Sequence, residues 1–268
     1  MSEGQQEEQL AEGTLMSHLL ELRNRLLKAV VALFVAFIPC AIFANELFAI
    51  IAQPLIDKLP EGSTLLATGV VSTFMTPFKV SFYVALFAAM PVVLYQLWAF
   101  IAPGLYRREK RFAVPLLVSS VLLFYSGVLF AYFVVFPVMF PFLIGTTPGG
   151  VTYAPDIAAY LDFVLAMFFA FGVAFEVPVA VVLLVLTGLV HVEKLGENRG
   201  YVLIGIFIVA AFLTPPDAVS QIIMAVPMYL LYEGGLVMAR LMQKMRREAQ
   251  EMEDKAEEKA KEKEEAQA

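Results

Sequence analysis

The chain of 268 residues holds a single cysteine, Cys40, which excludes an intrachain disulfide. Cys40 lies inside an apolar run, where a thiol reads as a small core residue. There are only two histidines, and no HExxH, CxxC or Walker-type glycine-rich loop occurs. Neither a metal centre nor an ATPase is therefore indicated, and no cofactor is expected. The N-terminus opens on acids (Glu3, Glu7, Glu8, Glu12) and has no positive segment before a short apolar one, so a cleaved signal peptide is not expected. Charge of either sign is scarce, at 16% of residues. What fills the space is apolar: 60% of residues are hydrophobic and the mean hydropathy is +0.75. That composition excludes an ordinary soluble domain and points to an integral membrane protein.

A helix needs about 20 apolar residues to cross a bilayer. The first such run extends from about Leu26 to Ala44, and the second fills the uncharged interval between Lys79 and Arg107. A third begins after Arg111 and is expected to end near Phe136, where Pro137, Pro141 and TTPGG (Thr146 to Gly150) follow. The fourth runs from about Asp162 to Val190. Two shorter runs, Tyr201 to Leu213 and Ala218 to Tyr232, are split by Thr214-Pro215-Pro216-Asp217. The expectation is an all-α membrane protein of six spans, with the last two short.

With the N-terminus in the cytoplasm, 17 of the 19 basic residues fall on the inside. Only Lys58 and Lys79 fall outside, so both termini are expected to be cytoplasmic. The resulting organisation is a cytoplasmic segment over residues 1–28, a membrane domain over 29–239 and a charged tail over 240–268. Outer cap loops are expected near 45–77 and 137–160, and cytoplasmic loops near 103–112 and 190–200. The tail from Leu241 carries seven basic and nine acidic residues and reads as solvated, partly helical or disordered. No internal repeat is visible, which argues against transporters built on inverted repeats.

Few residues remain that can carry chemistry. Leu15, Leu19, Leu22 and Leu26 recur at helical spacing with Glu21, Arg25 and Lys28 on another face, which predicts an amphipathic helix at the cytoplasmic surface. Glu21 can pair with Arg25 one turn on or serve a cationic partner. In YRREKR (Tyr106 to Arg111), Glu109 stands among four cations, either as a local salt bridge or as an ionised acceptor for a guanidinium. Leu47 to Leu59 is amphipathic enough for an interfacial helix broken at Pro54. Asp217 can cap the helix after the two prolines, and Gln221 is polar near the membrane edge. Glu176 is the only charged residue between Phe169 and Gly188. An acid at that depth costs about 2.5–3.5 kcal/mol, and Pro178 leaves the carbonyl of Ala174 without its usual donor.

With these residues in place the sequence resembles the TatC family, the receptor subunit of the twin-arginine protein translocase. HLLELRNRLL (His18 to Leu27), LPEGSTLLATGVVSTFMTPFK (Leu59 to Lys79), YQLWAFIAPGLYRREKR (Tyr95 to Arg111), FEVPVAVVLL (Phe175 to Leu184) and LTPPDAVSQ (Leu213 to Gln221) carry the likeness. The resemblance implies a glove-like six-helix fold with a concave membrane surface. It also implies a signal-peptide site of Glu21, Arg23, Phe100 and Glu109, an intramembrane polar site at Glu176, and partner-helix docking at Leu213, Thr214 and Gln221. Pro54 and Asp217 correspond to positions in the outer cap and turn. The partners so implied are twin-arginine signal peptides, single-span TatA- and TatB-type subunits, the lipid bilayer and further copies of the chain, with no nucleic acid. The location implied is the cytoplasmic (inner) membrane, and the export implied is driven by the proton-motive force without catalysis. The competing reading is a proton-coupled transporter of a small solute with Glu176 as the relay.

Overall fold

The computed structural model describes residues 3–56, 66–101, 113–148, 154–214 and 217–265. The chain divides into two compact units, Met1–Gly172 and Val173–Ala268. In hydrocarbon every backbone N–H and C=O must be satisfied within its own segment, and apolar runs of this length therefore become helices. Among the described residues five segments are long and apolar enough to cross a membrane: Leu19–Ile42, Val70–Phe100, Val114–Gly145, Ile157–Leu186 and Ala218–Met245. The remaining run of the six expected is a shorter apolar helix of 15 residues, Arg199–Leu213. It rises only about 22 Å against a hydrocarbon core of about 30 Å.

The first unit contains α1 (Glu3–Ile42), α2 (Ala44–Ile56), α3 (Val70–Ile101), α4 (Ala113–Phe130), α5 (Phe136–Gly145) and most of α6 (Ile157–Ala174). The surface helix expected ahead of the first span is not separate, because α1 runs through it unbroken for 40 residues. Most of α1's packing is on α3, yet none of its apolar window is buried within the protein, so lipid or partner helices must cover it. The core forms around Phe124, Phe136, Met139, Leu161, Leu165 and Phe171, all essentially inaccessible. Aromatic rings connect the helices, Phe136 and Phe168 edge to face at 5.2 Å and Phe87 and Phe124 tilted at 6.0 Å. The polar ends of the rings find partners: Trp98 Nε1 donates to Ser120 Oγ at 3.1 Å and the Tyr125 hydroxyl to the Phe87 carbonyl at 2.9 Å.

The third span does not end near Phe136. A π-helical turn over Ala131–Val135 joins α4 to α5, and the helix continues past Pro137 and Pro141 to Gly145. The Phe136 N–H bonds to Ala131 O, five residues back. This widened turn shifts the hydrogen-bond register just where Pro137 has no N–H to give.

At the far end of α3 an acid ties two segments together. Asp156 Oδ1 accepts the N–H groups of Ala158 and Ala159 at 2.9 and 3.0 Å, capping α6. Its Oδ2 accepts the Thr68 N–H at 3.1 Å and the Thr68 hydroxyl. Leu66 N–H bonds to Pro155 O and Ile157 N–H to Leu66 O, an isolated parallel bridge. One and a half turns into α6, Asp162 pairs with Lys79 of α3 at 2.7 Å. The Thr68 hydroxyl first, and then the backbone donors, pull the Asp156 carboxyl from its ordinary 3.8 down to about 2. A depressed carboxyl contributes stability above its unfolded pKa and loses it as pH falls through the folded value. Thermal stability of the detergent-solubilised protein should therefore fall between about pH 4 and pH 2, and Asp156→Asn should flatten that acid limb. An unchanged limb in the variant would refute the assignment.

The second unit holds α7 (Val177–Leu186), α8 (Val192–Glu197), α9 (Arg199–Leu213) and α10 (Ala218–Glu265). The span carrying Glu176 is divided there: α6 ends at Ala174 and α7 restarts at Val177. After α7, Gly188 takes φ +72°, a left-handed position that glycine adopts without strain. The last helix does not stop after Tyr232. It runs 48 residues to Glu265 and includes most of the charged tail. Glu233, a good helix former, lies within it and takes the guanidinium of Arg199, with Nε to Oε1 at 2.5 Å and Nη2 to Oε2 at 2.9 Å.

Candidate functional site

Glu21 lies in α1 with about a third of its side chain exposed, and Arg25 one turn on donates both Nε (2.9 Å) and Nη2 (2.5 Å) to its Oε1. Both bonds fall on one oxygen, so the Arg25 pair leaves Oε2 to other donors. Arg23, two residues on, donates from Nη2 to Asn24 Oδ1 at 3.3 Å. The leucines around them, Leu19, Leu20, Leu22 and Leu26, remain exposed. Phe100 is partly buried near the end of α3. Phe37 of α1 meets Phe82 of α3 with ring centroids 6.3 Å apart. Along their own helices Glu21 lies about 24 Å and Phe100 about 27 Å from that contact. Glu109 lies outside the described residues. The backbone of Pro54 belongs to the last turn of α2, and its side chain is likewise outside the described part.

Glu176 occupies the N-cap position of α7, with φ −76° and ψ −16°. Its N–H bonds to Val173 O at 3.0 Å, a tightened i to i−3 contact, and its carbonyl accepts Ala180 N–H at 2.9 Å. The cause is Pro178, which cannot supply the donor that an unbroken helix would need. The mid-span acid thus stands at the positive end of a half-helix, where a carboxylate gains about 0.3–1 kcal/mol from the helix dipole. Its side chain makes no capping bond to that helix.

The third group surrounds the α9–α10 turn. Thr214 is the C-cap of α9, buried, with its hydroxyl on Ala210 O at 2.9 Å. Asp217 caps α10 as its position suggested: Oδ1 accepts Ser220 N–H at 2.7 Å, and Gln221 N–H bonds to the Asp217 carbonyl. Leu213 and Gln221 are partly buried on either side. Sequence reasoning missed Ser220, whose fully buried hydroxyl has no hydrogen-bond partner among the described residues, and the second oxygen of Asp217 is in the same condition. A serine three residues after a capping acid was the available signal. It also missed the Arg199–Glu233–Tyr229 cluster, in which the Tyr229 hydroxyl adds a bond of 3.0 Å to Glu233. Among the described residues no group of His, Cys, Asp and Glu is placed to hold a metal ion.

A sequence profile of the family described as "Sec-independent protein translocase protein (TatC)" matches residues 17–227. The chain is similar to the Sec-independent protein translocase protein TatC of Azotobacter chroococcum mcd 1, 56% identical over 83% of this chain and 87% of that protein. It is 54% identical to the protein of that name from Escherichia coli (strain K12), over 84% of this chain and 88% of the relative. Among solved structures, the "Crystal Structure of Twin Arginine Translocase Receptor- TatC" aligns with a TM-score of 0.76 at 37% identity. That alignment covers 84% of this chain and 98% of the other.

Proposed function

The chain belongs to the TatC family of Sec-independent protein translocase proteins, and on that premise we propose that it is the signal-peptide receptor of a twin-arginine translocase. It is a multi-pass membrane protein of transport, and its proposed work is recognition and assembly, with no catalytic step. The observation that carries the reading is identity above one half with translocase proteins over more than four-fifths of the chain.

In this reading Glu21, Arg23, Phe100 and Glu109 receive the twin arginines at the cytoplasmic face. Two adjacent guanidiniums need ionised, fixed acceptors, and lysine lacks the planar fork that a carboxylate fits. The exposed leucines of α1 leave an apolar path beside Glu21 into the bilayer for the peptide's hydrophobic segment. Leu213, Thr214 and Gln221 take the helices of single-span TatA- and TatB-type partners, where the unpartnered Ser220 hydroxyl supports a polar contact. Glu176 provides the polar spot deeper in the membrane. The protein resides in the inner membrane with both termini cytoplasmic, several copies work together, and the proton-motive force drives export.

The test is site-specific photo-crosslinking in membranes between this protein and a twin-arginine signal peptide, beside a twin-lysine peptide. Crosslinks from the twin-arginine peptide alone, lost on Glu109→Ala, are the expected result. Equal yields from both peptides and both proteins would return these acids to ordinary surface charges and bring the solute-transporter reading forward.

A further inference from the structure

Three residues within one turn of α10 each hold a different segment of the second unit. Tyr232 donates its hydroxyl to the Leu195 carbonyl of α8 at 2.6 Å. Glu233 takes the guanidinium of Arg199, the first residue of α9. Gly235 faces α7: a Cβ there would stand 2.8 Å from Pro178 Cα and 3.2 Å from Val181 Cβ. Carbon atoms in contact keep roughly 3.5–4.0 Å, so the backbone of Pro178 occupies space that only glycine leaves open. Pro178 comes two residues after Glu176, and its ring holds φ near −65°. The path between them is short and stiff, and where Pro178 rests on α10 therefore determines where the Glu176 backbone sits.

We infer that Gly235 is a positioning residue for Glu176, setting through Pro178 the place of the intramembrane carboxylate. The same turn of α10 ties that placement to α8 and α9. The inference rests on the reading of Glu176 as a working polar site. Gly234 supplies a matched comparison, since a Cβ there meets nothing within 4 Å. Both glycine-to-alanine changes raise helix propensity alike, and only one of them presses on Pro178.

Export of a twin-arginine reporter is measured in cells whose only copy of the gene is the variant, at matched protein levels. Gly235→Ala is expected to lower export about tenfold, the effect of a backbone overlap of this size, while Gly234→Ala stays near wild type. In a Glu176→Gln chain, already impaired, Gly235→Ala should add less than about twofold, because a residue acting through the carboxylate has nothing further to remove. Equal losses from Gly235→Ala in both backgrounds would mean plain packing and overturn the inference, as would equal export by the two alanine variants. Wild-type export by Glu176→Gln would remove the reading of Glu176 itself, and the inference with it. An impaired Glu176→Gln beside an indifferent Gly235→Ala overturns the inference alone. Should Gly235→Ala fail to accumulate, the comparison moves to Val181→Gly/Gly235→Ala, which removes the Val181 Cβ that the new methyl would meet at 3.2 Å.

Discussion

Gly127→Val should leave little folded protein in the membrane. Gly127 of α4 faces α6, where a Cβ would stand 2.3 Å from the Phe171 carbonyl oxygen, 2.8 Å from its carbon and 3.0 Å from Gly172 Cα. All three are backbone atoms, so no side chain can swing aside and the helices would have to separate. The crossing is close from both sides, because a Cβ at Gly172 would meet the Phe124 ring at 2.6 Å. Phe124 and Phe171 are both at most 1% exposed, so separation would open the centre of the first unit. Small residues at such crossings let helices gain packing that lipid cannot supply. Even Gly127→Ala should cost about 3 kcal/mol, the upper end of ordinary overpacking, against a total stability of roughly 5–15 kcal/mol. Valine should exceed that. The measurement is the yield of monodisperse protein in mild detergent and its unfolding temperature, with Gly145→Ala, which meets nothing within 4 Å, as the reference. Equal yield and unfolding temperature for Gly127→Val and the reference would refute the account.

Glu21→Gln should weaken twin-arginine peptide binding by about 10- to 100-fold, the equivalent of one charge-assisted hydrogen-bonded pair at about 1.5–3 kcal/mol. Glutamine keeps the length and helix propensity of glutamate, so a loss of binding is not a loss of α1. In the structure Arg25 already covers Oε1 of this acid. An incoming guanidinium must take Oε2 or displace Arg25, and Arg25→Gln is expected to strengthen binding a few-fold. Both effects should shrink as salt rises toward about 0.15 M and beyond, because a third of Glu21 is exposed to screening. Titration of a labelled peptide against the protein in nanodiscs at two salt concentrations reads all three quantities. Unchanged affinity in Glu21→Gln would remove the residue from the site. A loss in Arg25→Gln as deep as that in Glu21→Gln would make Arg25 the residue that holds the carboxylate in place.

The sequence by itself determined whatever each residue carries without a neighbour. Hydropathy alone sets a helical membrane protein, since lipid offers the backbone no alternative partner. Pro178 withholds one backbone donor two residues after Glu176, because a missing N–H is missing in any fold. Thr214 and Asp217 mark the end of a short helix and the start of the next, and both take the capping positions that their side chains suit. The order of the motifs was enough to point to the family.

The tertiary structure decided what depends on which helices meet. Pro137 and Pro141 carry the same missing N–H as Pro178, yet the helix passes through them, because a π-turn absorbs the change of register ahead of Pro137. Glu233 looks like the end of a span, and only the fold shows that Arg199, 34 residues away in the chain, pairs with it inside the continuous α10. Thr68 and Asp156 are 88 residues apart, and Lys79 and Asp162 are 83 apart, distances at which local pattern says nothing of pairing. The glycines make the same point most sharply. Gly127 and Gly235 bear no mark to set them apart from Gly145 and Gly234, and only the closeness of another backbone gives them a role. Side-chain chemistry is written residue by residue, whereas contact between helices is a property of the packed whole.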